Sequence, residues 1–147
     1  MRHLPLTVCA IALSVAAPTM HAQAATTAPA AAPAPIIGFL LPTNNATVTS
    51  PVTIRFRLVN YGVAPAGMQF DKTGHFHLLI DAEASGAGTI VPADSQHVHF
   101  GKGQIEVTVP LSVGKHTLRA VLADYQHKEI GPDLVSAPIT VKVVAKK

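Results

Sequence analysis

The chain has 147 residues, 48% of them hydrophobic and only 13% charged, with 12 Pro, 10 Gly, one Cys and no Trp. That balance excludes charge-driven disorder over most of its length, which suits one domain with a core large enough to fold unaided. A formal charge of +3 on scattered basic residues argues against a nucleic-acid-binding stripe, whereas 8 His, as many as Asp and Glu together, stand out.

Met1-Arg2-His3 forms a short positive head, and Leu4 to Ala17 a largely apolar stretch of signal-peptide length, too short to span a bilayer. Ala22-Gln23-Ala24 supplies the small-residue pattern that places cleavage after Ala24, so the mature chain is expected in the periplasm or secreted, with no membrane span. Cys9 goes with the leader, leaving a product without thiols. A lipoprotein reading of Leu6-Thr7-Val8-Cys9 is poor, because Val8 is bulky where a small residue is required. Residues 25–35, rich in Ala and Pro and uncharged, read as a semi-extended spacer. The folded domain is expected over residues 36–145.

Within it the apolar pattern has period two. Ile36 to Leu41 is an apolar run stopped by Pro42-Thr43-Asn44-Asn45. Val52, Ile54, Phe56 and Leu58 then alternate with Thr53, Arg55 and Arg57; Phe76, Leu78 and Ile80 with His75, His77 and Leu79; Val98 and Phe100 with His97 and His99. Ile105, Val107, Val109 and Leu111 follow the same rule, as do Leu118, Ala120 and Leu122, and Ile139, Val141 and Val143. About seven short strands with Gly, Pro and Asn punctuation predict an all-β, immunoglobulin-like antiparallel β-sandwich; a small barrel is the competing topology. Tight turns at Lys102-Gly103 and Val113-Gly114 would set Phe100 opposite Ile105, His99 opposite Glu106 and Leu111 opposite His116, with His97 and His99 on the outer face.

The histidines carry the chemistry. Four of the six in the folded region form two His-x-His pairs, His75/His77 and His97/His99. Alternate residues of a strand project from one face about 6–7 Å apart, so each pair can converge on one ion, and neighbouring strands would bring four imidazoles together. Imidazole suits Cu(II) and Zn(II), and a thiol-free ligand set suits an oxidising compartment. The expected ligands are His75, His77, His97 and His99, with His127 as a further ligand expected nearer His99 than His97. Asp81 and Glu106 are expected to orient the rings by accepting their far N–H. The bland alternative is that these are solvated strand faces or a buried hydrogen-bond network; for His116 it is a sheet-end ring bonded to a backbone carbonyl. Met68 is the only methionine after the leader, which removes the signature of a methionine-rich Cu(I) carrier. No G-x-S-x-G elbow accompanies the Ser, His and Asp residues, and nothing else nominates a catalytic group.

The blocks Gly74-His-Phe-His-Leu-Leu-Ile-Asp81, Pro92 to Glu106 (P-A-D-S-Q-H-V-H-F-G-K-G-Q-I-E) and Gly114 to His127 together resemble a family of small exported bacterial proteins classed only as a domain of unknown function. Its members carry histidine-rich counterparts of these blocks, with G-K-G-Q-T-E in place of G-K-G-Q-I-E. The resemblance implies an exported β-rich domain and singles out His75, His77, His97, His99 and His127, but implies no activity. A weaker likeness is to the copper–zinc superoxide dismutases, whose copper site uses a His-x-His on a strand of a similar sandwich. The chain lacks their disulfide cysteines and a zinc loop dense in His and Asp. The leading expectation is therefore an exported transition-metal-binding domain, taking Cu(II) before Zn(II) for sequestration or delivery. A metal-free envelope module recruiting a protein or glycan is the alternative, and a dismutase-like metalloenzyme a minor one.

Overall fold

A computed structural model describes residues 33–146; the expected leader and most of the spacer lie outside them. Where β-branched and aromatic residues alternate with polar ones the chain extends, giving nine strands among the described residues. They are β1 (Ile36–Leu41), β2 (Ala46–Thr49), β3 (Val52–Val59), β4 (Gly62–Val63), β5 (Thr73–Ile80), β6 (His97–Phe100), β7 (Glu106–Val109), β8 (Gly114–Ala123) and β9 (Ile139–Val144). A single 3₁₀ turn, Pro132–Leu134, precedes β9. The expected all-β sandwich forms, with two strands beyond the alternating runs. β2 pairs in parallel with β9, and β4, only two residues long, is too short to display a period.

The smaller sheet runs β1-β3-β7, antiparallel throughout. The larger runs β2-β9-β8-β5, and the far side of β5 is shared by β4, parallel at Thr73 and Gly74, and β6, antiparallel along residues 76–79. Between the sheets lie Val52, Ile54 and Phe56 from β3, Phe76 and Leu78 from β5, Leu118, Ala120 and Leu122 from β8, and Val141 and Val143 from β9, all buried. Phe56 stacks on Phe76 across the interface with ring centroids 4.2 Å apart, and Phe100 tilts against Phe56 at 5.7 Å. Each such aromatic buries enough surface that truncating it to Ala costs about 3–5 kcal/mol.

Both predicted hairpins are corrected. β6 pairs with β5, setting His99 opposite His77 and His97 opposite Leu79, while β7 pairs with β3 in the other sheet, setting Glu106 opposite Arg55. β8 pairs with β5 and β9 rather than β7, so His116 lies opposite Val141 and not Leu111. The segment Gly101-Lys102-Gly103-Gln104 is a crossover between sheets, and Ile105 is exposed at 59% instead of facing Phe100. The physical reason is a degeneracy of sandwiches. Two successive strands with inward apolar rows satisfy burial equally well side by side in one sheet or face to face across the core.

On its outer face the larger sheet carries a third layer. Residues 81–96 cross over the β5/β8 end, where Leu79, Val91, Val121 and Ala123 form a second small apolar cluster. Arg119 on β8 bonds Glu83, and the buried Glu129 carboxylate accepts the backbone N–H groups of Ser85 and Gly86 at 3.0 and 3.1 Å. The Val91 N–H donates to the His127 carbonyl. Hence β5 is buried on both faces over most of its length. No helix among the described residues is long and apolar enough to cross a membrane.

Candidate metal centre

Alternation along β5 turns Phe76 and Leu78 into the sandwich core and His75 and His77 outward, beneath the covering segment. The two histidines retain 0% and 2% of their exposure. Antiparallel pairing of β6 sets His99 directly opposite His77. One ring nitrogen from each of His75, His77 and His99 lies within 4.8 Å of the others, a group able to hold a metal ion. His127 closes a further side, its ring centroid 4.8 Å from His99, 4.9 Å from His75 and 6.1 Å from His77. It sits in a tight loop following β8. There the Asp124 carboxylate accepts the N–H groups of Gln126 and Lys128, and His127 itself takes a left-handed conformation with φ of 65°.

Two glycines, one beside each His-x-His pair, make room for this. A Cβ at Gly101 would stand 2.3–2.4 Å from Cε1 and Nε2 of His99, so the imidazole folds back over a position where any side chain would displace it. A Cβ at Gly74 would meet the Ala123 carbonyl oxygen at 2.5 Å, so close approach of β5 to β8 beside His75 also requires glycine. Sequence reasoning read Gly101 only as part of a turn. The available signal was the placement of glycine at the outer flank of each pair, in G-H-F-H and H-V-H-F-G.

His75 Nε2 and His77 Nε2 are 3.1 Å apart. Two imidazole nitrogens on one tetrahedral ion, each ~2.0–2.1 Å from it, stand about 3.3 Å apart. The Nδ1 atoms of both rings are buried and have no hydrogen-bond partner. Burial pushes His75 down to about 4 and His77 to about 3, reinforced by repulsion from the neighbouring imidazoles; Asp124 partly opposes this at His75. His99 is lowered too, first by burial and then by His127. Near neutral pH His75, His77 and His99 are therefore neutral, with lone pairs available to a cation. The donor set fits a borderline transition metal and is wrong for Ca²⁺ or Mg²⁺, which require oxygen ligands.

The other expected site residues lie elsewhere. His97 shares the outer face with His99 but belongs to another pair, its Nδ1 2.7 Å from the Asp94 carboxylate. Glu106 is in the other sheet, bonded to Arg55. Asp81 binds His116 Nδ1 at 2.7 Å and the Thr117 N–H, so neither carboxylate orients a ring of the cluster. His116 also contacts the Ser112 carbonyl through Nε2 at 3.0 Å, the sheet-end role expected of it.

Above the cluster a cavity of about 370 Å³ is lined by His77, His99 and His127 together with Ile90, Val91, Pro92, Ala93 and Gln126. The 124–128 loop sends Gln126 and His127 to this cavity, and Asp124, Tyr125 and Lys128 to a larger one of about 660 Å³ that also involves Tyr61, Met68 and Phe70.

Residues 54–144 match the family model described as "Domain of unknown function (DUF4399)", and the chain belongs to that family. The matched span contains His75, His77, His97, His99 and His127. No curated protein and no solved structure matches the chain, and the likeness to copper–zinc superoxide dismutases has no counterpart in these comparisons.

Proposed function

We propose that this protein is an exported transition-metal-binding domain that sequesters or delivers copper, with His75, His77, His99 and His127 as ligands. The carrying observation is the buried pair His75/His77, whose Nε2 atoms converge at 3.1 Å, with a ring nitrogen of His99 completing a group within 4.8 Å. A structural hydrogen-bond network would tie the rings to neighbouring groups, whereas the one hydrogen bond these two rings make is to each other. Copper is favoured over zinc because Cu(II) outranks Zn(II) on nitrogen ligands. Two buried and two more accessible ligands suit a site that both holds and releases its ion.

Calorimetric titration of the metal-free protein tests this. One Cu(II) should bind per chain, more tightly than Zn(II), with uptake lost in His75→Ala/His99→Ala and retained in His97→Ala. No uptake, or uptake unchanged in the double variant, would sink the reading. Export is checked by N-terminal sequencing of protein recovered from the envelope, which should begin at Ala25.

A second reading, an envelope module that recruits a protein or glycan, draws on the larger cavity, where Met68 and Phe70 are 50% and 57% exposed beside Tyr61 and Tyr125. A titration with neither metal taken up would favour it.

A further inference from the structure

The ligand set just proposed is uncharged, and the carboxylates around it are committed. Asp94 holds His97, Asp81 holds His116, and Glu129 accepts two backbone N–H groups. Asp124 turns one carboxylate oxygen to the loop N–H groups and acts on His75 only through space. A divalent ion here would leave its charge uncompensated against two fully buried ligands, an arrangement that carries a large desolvation cost. The floor of the site, His75 and His77, is closed by the sheet. Its other side opens through His99 and His127 into the 370 Å³ cavity, whose wall is apolar at Ile90, Val91, Pro92 and Ala93. Gln126 is the one amide side chain among its lining. Lys128 Nζ donates to Gln126 Oε1 at 3.2 Å, so the NH₂ group is the part of the amide left to donate.

We infer that the metal centre takes a small anion as its exogenous ligand, bound in the cavity between His99, His127 and the Gln126 amide. The inference rests on the metal-binding reading and adds a substrate-sized position to it. The anion supplies the missing charge, the apolar wall restricts the position to small species, and Gln126 donates to the bound ligand.

Azide is the probe. The full-length protein is loaded with Cu(II), retention is followed by equilibrium dialysis, and azide is titrated in while visible absorption and electron paramagnetic resonance are recorded. A saturable azide-to-copper charge-transfer band should appear with copper retained, and Gln126→Ala at equal copper content should bind azide about tenfold more weakly, as expected for one hydrogen bond to a charged ligand. Failure of copper to load would overturn the metal-binding reading and this inference together. Copper that loads but shows an unchanged spectrum in excess azide, or is stripped by it, overturns the inference alone. Wild-type azide affinity in Gln126→Ala overturns the assigned position.

Discussion

A side chain at Gly74 would press on the Ala123 carbonyl and, at 2.9 Å, on Leu122 and Ile130, whereas one at Gly101 would meet chiefly the His99 imidazole, the free end of a side chain. The first obstacle is backbone and packed core and cannot yield cheaply; the second can swing away. Gly74→Ala should therefore lower the denaturation midpoint markedly, while Gly101→Ala keeps the fold and weakens copper binding at least about tenfold, as misplacement of one ligand does. Urea titration and calorimetry on the two variants separate these effects, and a Gly101→Ala protein with wild-type affinity would remove His99 from the ligand set. His77 gives a complementary test. Its buried, unpartnered Nδ1 is a cost in the metal-free protein, so His77→Leu should leave that protein as stable as wild type or more stable, by up to about 1–2 kcal/mol, while copper uptake disappears. A clear loss of stability would instead make the ring a structural element.

Strand β5 is where the histidine chemistry and the core share one element, and its pH response has two opposed parts. His75 and His77 are held well below their ordinary 6.5. The unfolded chain takes up protons that the folded one refuses, so their contribution is complete above about pH 6.5 and is lost as pH falls toward 4 and 3. On β8, beside the end of β5, His116 is raised, chiefly by its hydrogen bond to Asp81. That contribution is present below 6.5 and is lost as pH rises through the folded value above it. The metal-free protein should thus be most stable near pH 6.5, where the first contribution is nearly complete and the second not yet lost. Asp81→Asn, which can keep both the positive φ at this position and the acceptor for the Thr117 N–H, should remove the decline on the alkaline side, and at the acid end the loss that comes from the Asp81 carboxyl being held below its ordinary value. Urea midpoints measured across the range check both limbs.

The same strand shows how far the sequence could be read. The alternation in β3 and β5 and the two His-x-His pairs follow from period and spacing, whereas His127 was expected near His99 through hairpins that do not form and reaches it instead because β5 lies between β6 and β8. What could not be read is the burial of His75 and His77 on an outward face. That depends on residues 81–96, a segment without periodicity, held down by Arg119–Glu83, by Glu129 and by Val91. Glu129 gave no local signal because its partners are backbone N–H groups more than forty residues away. His97 was grouped with His99 by spacing alone, and only the Asp94 carboxylate, three residues before it, draws it into a separate pair.

At the scale of the molecule, the assignment of β6 and β7 to different sheets decides where the site lies. A hairpin between them would have set His99 against Glu106; the crossover sets it against His77. It also sends Phe100 into the stack with Phe56 and Phe76, so the strand bearing His99 is anchored by the centre of the sandwich. Phe100→Ala should consequently cost both about 3–5 kcal/mol of stability and some copper affinity, and a variant that lost stability with affinity intact would decouple the two.

Because the proposed ligands come from β5, β6 and the loop after β8, they are spread over residues 75–127, and no short contiguous fragment contains the centre. The pairings are non-local, and loops must close before any of them is rewarded, which makes assembly of such a topology slow. An emerging or partly assembled chain therefore presents scattered imidazoles of ordinary basicity rather than a chelating pocket. Tight metal capture would become a late event in maturation, reporting that the polypeptide has finished folding.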